Sequence, residues 1–170
     1  MKNALIAVLL IVAAALGILL YKGKAVSKVE VAHNKLPDHN GNNVDTVGCP
    51  LRTGQNKKTC VIPISYLTDM VNGWVNDYAI ELRHNDTVKW VGDNGESIEV
   101  PEMTGVLCSD HHKPDPPPGN RSLISNISAT GNVVTAQVTG TQNYCYKNTI
   151  KVTVNGKTTP IDPHYFGSGS

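Results

Sequence analysis

The residues able to do chemistry in this chain are four cysteines (Cys49, Cys60, Cys108, Cys145) and one short cluster, Cys108-Ser-Asp-His111-His112. A thiolate beside imidazoles is the donor chemistry of zinc and copper sites, and Cys145 with His164 or His84 could complete such a site in space. Adjacent histidines, however, leave the backbone in different directions, and no pair here has zinc-finger spacing. If Cys108 is oxidised, it has no thiolate to offer. An even cysteine count on an exported chain points instead to two disulfides, with three possible pairings. The expected pairs are Cys49 with Cys60, closing the loop between them, and Cys108 with Cys145, tying a proline-rich loop to a late strand. Four reduced thiols are the competing state and require a cytoplasmic body.

Other reaction types find no support. The chain has no Gly-x-Ser-x-Gly elbow, no His-Glu-x-x-His, no phosphate-binding glycine loop and no dinucleotide fingerprint. Asp110 beside His111 resembles an acid–base pair, but sequence neighbours rarely meet as catalytic partners. The expectation is a non-enzyme without a cofactor. The alternative is copper or zinc held by Cys108, His111, His112, Cys145 and His164. Trp74, Trp90, Tyr78, Tyr144 and Tyr146 could line a ligand surface, but they fall at strand positions and most are assigned to the core. Asn85-Asp-Thr87, Asn120-Arg-Ser122 and Asn126-Ile-Ser128 match the glycosylation acceptor pattern, as an Asn/Ser/Thr-rich chain does by chance.

The elements that must position these residues begin with an apolar leader. Ala4 to Leu20 is a 17-residue run without a charge, followed by Tyr21-Lys22-Gly23-Lys24. At about 1.5 Å per residue it nearly crosses a hydrocarbon core if Tyr21 and the lysine stems reach the interface. It is slightly long for a cleaved secretory segment, and the patterns Ala13-Ala14-Ala15 and Ala25-Val26-Ser27 make poor cleavage sites. An uncleaved signal-anchor is therefore expected over a removed signal, with residues 4–20 in the membrane. The flanking lysines alone favour a cytoplasmic body, whereas the cysteines favour an exported one in the periplasm or beyond the cell; the cysteines are followed here. All 14 acidic residues and 11 of the 15 basic ones lie beyond Lys28, so the body is net acidic and no nucleic-acid partner is expected.

Beyond residue 28 the chain is punctuated as an all-β domain. Candidate strands are Lys28–His33, Cys60–Ile64, Tyr78–Arg83, Thr87–Val91, Ser97–Val100, Leu123–Ile127, Asn132–Val138, Gln142–Tyr146 and Thr149–Val154. Asn-Gly and Asp-Asn-Gly signals separate them. Thr87–Val91 and Ser97–Val100 read as one hairpin, with Val88, Trp90 and Ile98 on its buried side. Tyr66–Val75 can hold one or two helical turns. Asn34–Asn56 reads as a long polar loop or arm. Cys108–Asn120 cannot hold a central strand, because Pro114 and Pro116–Pro118 supply no backbone donors. Residues 167–170 read as a flexible tail.

Two segments together resemble the cupredoxin family. Asp86-Thr-Val-Lys-Trp-Val91 is similar to the strand that precedes its first copper histidine. Tyr144-Cys-Tyr-Lys-Asn-Thr-Ile-Lys-Val-Thr-Val-Asn-Gly156 is similar to its closing strands, and Lys157-Thr-Thr-Pro-Ile-Asp-Pro163 resembles the closing segment of metal-free cupredoxin-like bacterial domains. Cys145 sits where the family places its thiolate. No histidine stands in Gly95-Glu96-Ser97, and neither histidine nor methionine follows Cys145 before Ile150, so two imidazoles and an axial thioether are missing. The resemblance thus implies a Greek-key β-sandwich of cupredoxin or immunoglobulin type, not electron transfer.

These readings assemble into an N-terminal anchor and linker (1–28), an extracytoplasmic β-sandwich (29–166) and a tail (167–170). The expected role is non-catalytic binding or structure at a cell envelope, with envelope proteins or like subunits as partners. Two alternatives stand beside it: a metal-handling or redox protein, and a surface filament or pilus-like subunit.

Overall fold

A computed structural model describes residues 33–49, 59–71 and 79–169. The expected leader, the strand Lys28–His33 apart from its last residue, Trp74 and Tyr78 lie outside the described residues. Among those described, no helix is long and apolar enough to cross a membrane.

The described chain is an all-β sandwich of curled sheets with one short helix. In order it runs β1 (His33–Pro37), β2 (Asn43–Val47), β3 (Thr59–Pro63), α1 (Ile64–Val71), β4 (Ala79–Arg83), β5 (Thr87–Val91), β6 (Ser97–Glu99) and β7 (Thr104–Leu107). There follow β8 (Asp110–Pro114), β9 (Ile124–Thr130), β10 (Val133–Val138), β11 (Cys145–Lys147), β12 (Ile150–Val154), β13 (Lys157–Ile161) and β14 (His164–Ser168). A seven-stranded sheet has the order β1-β2-β4-β14-β11-β7-β8, a four-stranded sheet β3-β5-β10-β9, and a three-stranded sheet β13-β12-β6. Most neighbours are antiparallel. The exceptions are β2 with β4, β4 with β14, and β3 with β5.

The main core lies where the three sheets and α1 meet. Ile62, Val88, Trp90 and Val134 come from the four-stranded sheet, Ile98 and Ile150 from the three-stranded one, and Ile80, Leu82, Tyr146 and Tyr165 from the seven-stranded one. Trp90 and Tyr165 are both 0% exposed; the indole Nε1 donates to the phenol oxygen at 3.2 Å, with the rings edge to face. That bond satisfies the polar ends of two large side chains while joining two sheets. Burial pushes the Tyr165 hydroxyl far above its ordinary pKa, only partly opposed by the Trp90 hydrogen bond. Tyr146, whose hydroxyl donates to the Thr141 carbonyl, is pushed up to about 12 by burial.

Three sequence expectations change, and a fourth, that Cys108–Asn120 holds no central strand, is met. Asn34–Asn56 is not a plain arm, because His33–Pro37 and Asn43–Val47 pair as an antiparallel hairpin. Its tight turn is built by Asp38, whose Oδ1 accepts the N–H groups of Asn40 (2.9 Å) and Asn42 (2.8 Å), with Gly41 at φ 82°. Thr87–Val91 and Ser97–Glu99 are not a hairpin: β5 pairs with β3 and β10, and β6 with β12. Asn132 fixes the Gly92 carbonyl, and the buried Glu96 carboxylate accepts the Asn94 N–H at 2.7 Å, so the chain turns a corner between sheets. Val88, Trp90 and Ile98 are nonetheless buried as expected. Asp110–Pro114 does pair, as an edge strand beside β7, which suits a segment with prolines. Finally, Gly167 and Ser168 are buried in β14 at the centre of the largest sheet rather than in a tail, held by register with Leu82 and Arg83.

Candidate functional site

Successive residues of a strand point to opposite faces of its sheet. In the seven-stranded sheet Ile80, Leu82, Tyr146 and Tyr165 face the main core, while Ala79, Val106, Cys145 and Phe166 form a second buried cluster on the other face. Leu36, Val44 and Cys108 pack against this second cluster. The sheet curls around it, and a cleft of about 480 Å³ opens there. Its floor is apolar: Val44, Ala79, Val106 and the Cys108–Cys145 bridge. Asp38, Asn42, Asn43 and Asp45 rim it from the β1–β2 hairpin, and Ser109, His111 and His164 rim it from the opposite side.

Both expected disulfides are present. Cys49–Cys60 joins residues 11 apart at the start of β3, and Cys108–Cys145 joins the β7–β8 turn to β11 across a separation of 37 residues. No free cysteine remains.

The structure brings the candidate metal residues together, though not as a donor set. His111 from β8 lies against His164 from β14, ring centroids 3.9 Å apart and tilted by 35°, and against His112 at 4.3 Å and 51°. Cys108 and Cys145 stand beside them, but their sulfurs are bonded to each other. Among the described residues, no group of three histidine, cysteine or carboxylate side chains has an arrangement that could hold a metal ion. The three imidazoles meet ring against ring, tilted by 35° and 51°. His84 is elsewhere: it follows β4 and donates its N–H to the Ser168 carbonyl (3.0 Å), at the opposite end of the parallel β4–β14 pair from His164.

Asp110 does not pair with His111. Its carboxylate accepts the His112 N–H (3.1 Å) and lies 3.2 Å from Lys113 Nζ, and these contacts, the backbone bond first, hold it below the usual carboxylate range. Asp38 is buried, which alone would raise its pKa; the hydrogen bonds from Asn42 and Asn40 and the nearby His39 outweigh this and lower it. Asp38 is thus committed to shaping the hairpin tip that presents Asn42 and Asn43 to the cleft.

Sequence reasoning missed the clamp that holds this tip. The His39 ring stacks on Tyr144 (centroids 3.9 Å, 8° between planes), its Nε2 lies 3.2 Å from Asp115 Oδ2, and its N–H donates to the Asn143 carbonyl at 2.7 Å. The partners are more than 70 residues away in sequence, so no local pattern could announce them. The proline-rich segment is seated by Gly105, where a Cβ would fall 2.5 Å from Pro117 Cδ. At the far end of the same outer face, Glu81 accepts bonds from Asn34, Arg83 and Ser168, each at 2.9 Å.

No family model matches the chain. No curated protein matches it significantly.

Proposed function

We propose that the protein is a membrane-tethered, extracytoplasmic β-sandwich of cupredoxin-like type with a non-catalytic binding role at the cell envelope, and that it binds in the cleft on the outer face of the seven-stranded sheet. The observation that carries this reading is the cleft itself: an apolar floor containing a disulfide, rimmed by seven polar side chains from two separate hairpins and β14. A concave site of several hundred Å³ with an apolar base and a few placed polar groups is the usual form of a ligand site. Two closed disulfides favour an oxidising compartment, and the charge-free run of residues 4–20 supplies the tether.

The test uses the full chain in intact cells. It should fractionate with membranes, resist thiol labelling until reduced, and lose its body to externally added protease. A photo-crosslinking side chain at Ser109, in the cleft, should give a discrete adduct, while one at the exposed Thr158 should not. Free thiols in cells, or no adduct from Ser109, sinks the reading.

A second reading, handling of copper or zinc, draws support from the meeting of His111, His112 and His164 at one cleft edge. Imidazole is a good ligand for both ions. Stoichiometric zinc uptake by the oxidised protein, abolished by His164→Ala, would favour it over the first.

A further inference from the structure

We propose that the Cys108–Cys145 bridge is a site of thiol exchange, and that its partner is a molecule carrying a free thiol, whose sulfur enters the cleft and joins Cys108. The two disulfides of the chain sit in different surroundings. Cys49–Cys60 ties the segment leaving β2, in the seven-stranded sheet, to β3, in the four-stranded one. Cys60 is 1% exposed within the main core, and Cys49 packs against that core. This bridge joins two layers across packed side chains. Cys108 and Cys145 instead line the cleft on the outer face. Cys108 is half-buried in the β7–β8 turn, and Cys145 is 4% exposed in β11.

A disulfide stabilises mainly by constraining the unfolded chain; in the folded sheet these two strands are already joined. Val106 of β7 stands opposite Cys145 in the antiparallel ladder, and Cys108 lies two residues further on. Cys145–Lys147 is held by β7 on one side and by β14 on the other. Opening the bridge therefore leaves the strand order of the sheet intact. What it releases is the β7–β8 turn, because β8 is an edge strand whose ladder to β7 is interrupted by a register shift. Ser109 in that turn and His111 in β8 rim the cleft, so exchange at Cys108 also loosens one wall of it.

Disulfides exchange by attack of a thiolate on one sulfur, at a rate set by access to that sulfur and by the leaving thiolate. Cys108 offers the accessible sulfur and Cys145 the leaving one. The incoming thiolate forms a new S–S bond to Cys108 as the bond to Cys145 breaks. The electron pair of the broken bond leaves on the Cys145 sulfur, which takes up the proton that the incoming thiol released. One disulfide and one thiol become another disulfide and another thiol, so the step needs no further oxidant. The inference takes from the reading above only the open cleft. A discrete adduct from Ser109 without exchange at Cys108 would sink this inference and leave that one standing.

The test exposes the oxidised full chain, in its membranes, to glutathione for graded times, blocks free thiols with an alkylating reagent and locates both groups by mass spectrometry. Glutathione should appear on Cys108 and the alkyl group on Cys145, about a hundredfold faster than either appears on Cys49 or Cys60. The near-ultraviolet circular dichroism of the detergent-solubilised protein should hold steady while this happens. Ser109→Lys should speed the reaction about threefold and Ser109→Glu slow it by a similar factor, because the attacking group is an anion. Equal rates at the two bridges, glutathione on Cys145 in place of Cys108, or no exchange until the circular dichroism collapses overturns the proposal.

Discussion

The two faces of the seven-stranded sheet are built from alternate residues of the same strands, yet they solve different problems. Toward the core, Ile80, Leu82, Tyr146 and Tyr165 meet two other sheets, and the polar ends of the tyrosines are bonded inside the protein. On the outer face, Ala79, Val106, Cys145 and Phe166 meet no second sheet among the described residues; a disulfide, a hairpin tip and a histidine cluster border them. The inner face is finished by packing, its side chains buried against the other two sheets. The outer face is held by cross-links and clamps, which keep its residues in place while leaving space between them. A rigid sheet with one face left incomplete is a way to build a site without spending the core on it.

The contrast can be broken most severely from the inside. Trp90→Ala removes the largest fully buried side chain among the described residues and orphans the Tyr165 hydroxyl. It should cost about 3–5 kcal/mol in urea unfolding. If the loss is under 1 kcal/mol, the inner face is not the stability-determining one.

On the outer face the bridge should matter most. Replacing both Cys108 and Cys145 with serine should cost about 4 kcal/mol by loop-closure entropy, against about 3 kcal/mol for the shorter Cys49–Cys60 loop. The near-ultraviolet circular dichroism of the Trp90–Tyr165 pair should survive at low temperature in the Cys108/Cys145 variant. Its loss would mean that the two faces form one cooperative unit.

Acid should act through Glu81. Burial alone would raise its pKa, but the hydrogen bonds from Arg83, Ser168 and Asn34 and the Arg83 charge lower it below the ordinary glutamate value. A depressed folded-state pKa adds stability at pH above the unfolded value near 4.5, and this is lost as pH falls through the folded value. Glu81→Gln should therefore be less stable than the wild type at pH 7, with the gap closing as the pH drops below about 4. An unchanged gap between pH 7 and pH 3, followed by chemical denaturation, would remove Glu81 from the account.

The smallest change in stability should come at the cleft itself. His111→Ala, at a half-buried edge position, should stay within about 0.5 kcal/mol of the wild type while abolishing the adduct formed from Ser109. A large destabilisation would recast the histidine stack as structural cement.

The sequence announced what is local. Thr87–Val91 and Ile150–Val154 alternate cleanly and were legible as strands, and the two cysteine pairs followed from their spacing around a loop and a proline-rich segment. What could not be read was pairing at a distance. Gly92–Glu96 carries every sign of a hairpin turn, yet the partners of β5 and β6 come from 28 or more residues away, and the corner is fixed by Asn132. The gathering of His111 and His164 was expected as a possibility, but their ring-on-ring contact depends on β14 lying two strands from β7, which no local pattern specifies. Gly167 and Ser168 look like linker residues because their burial needs the small volume that Leu123 and Tyr146 leave beside Gly167.

The position of β14 has a bearing on biosynthesis. Because residues 164–168 sit between β4 and β11, the largest sheet remains split in two until that stretch has been delivered. Without it neither half can reach the other, so the pairing of β14 with β4 and β11 is the step that makes the sheet continuous.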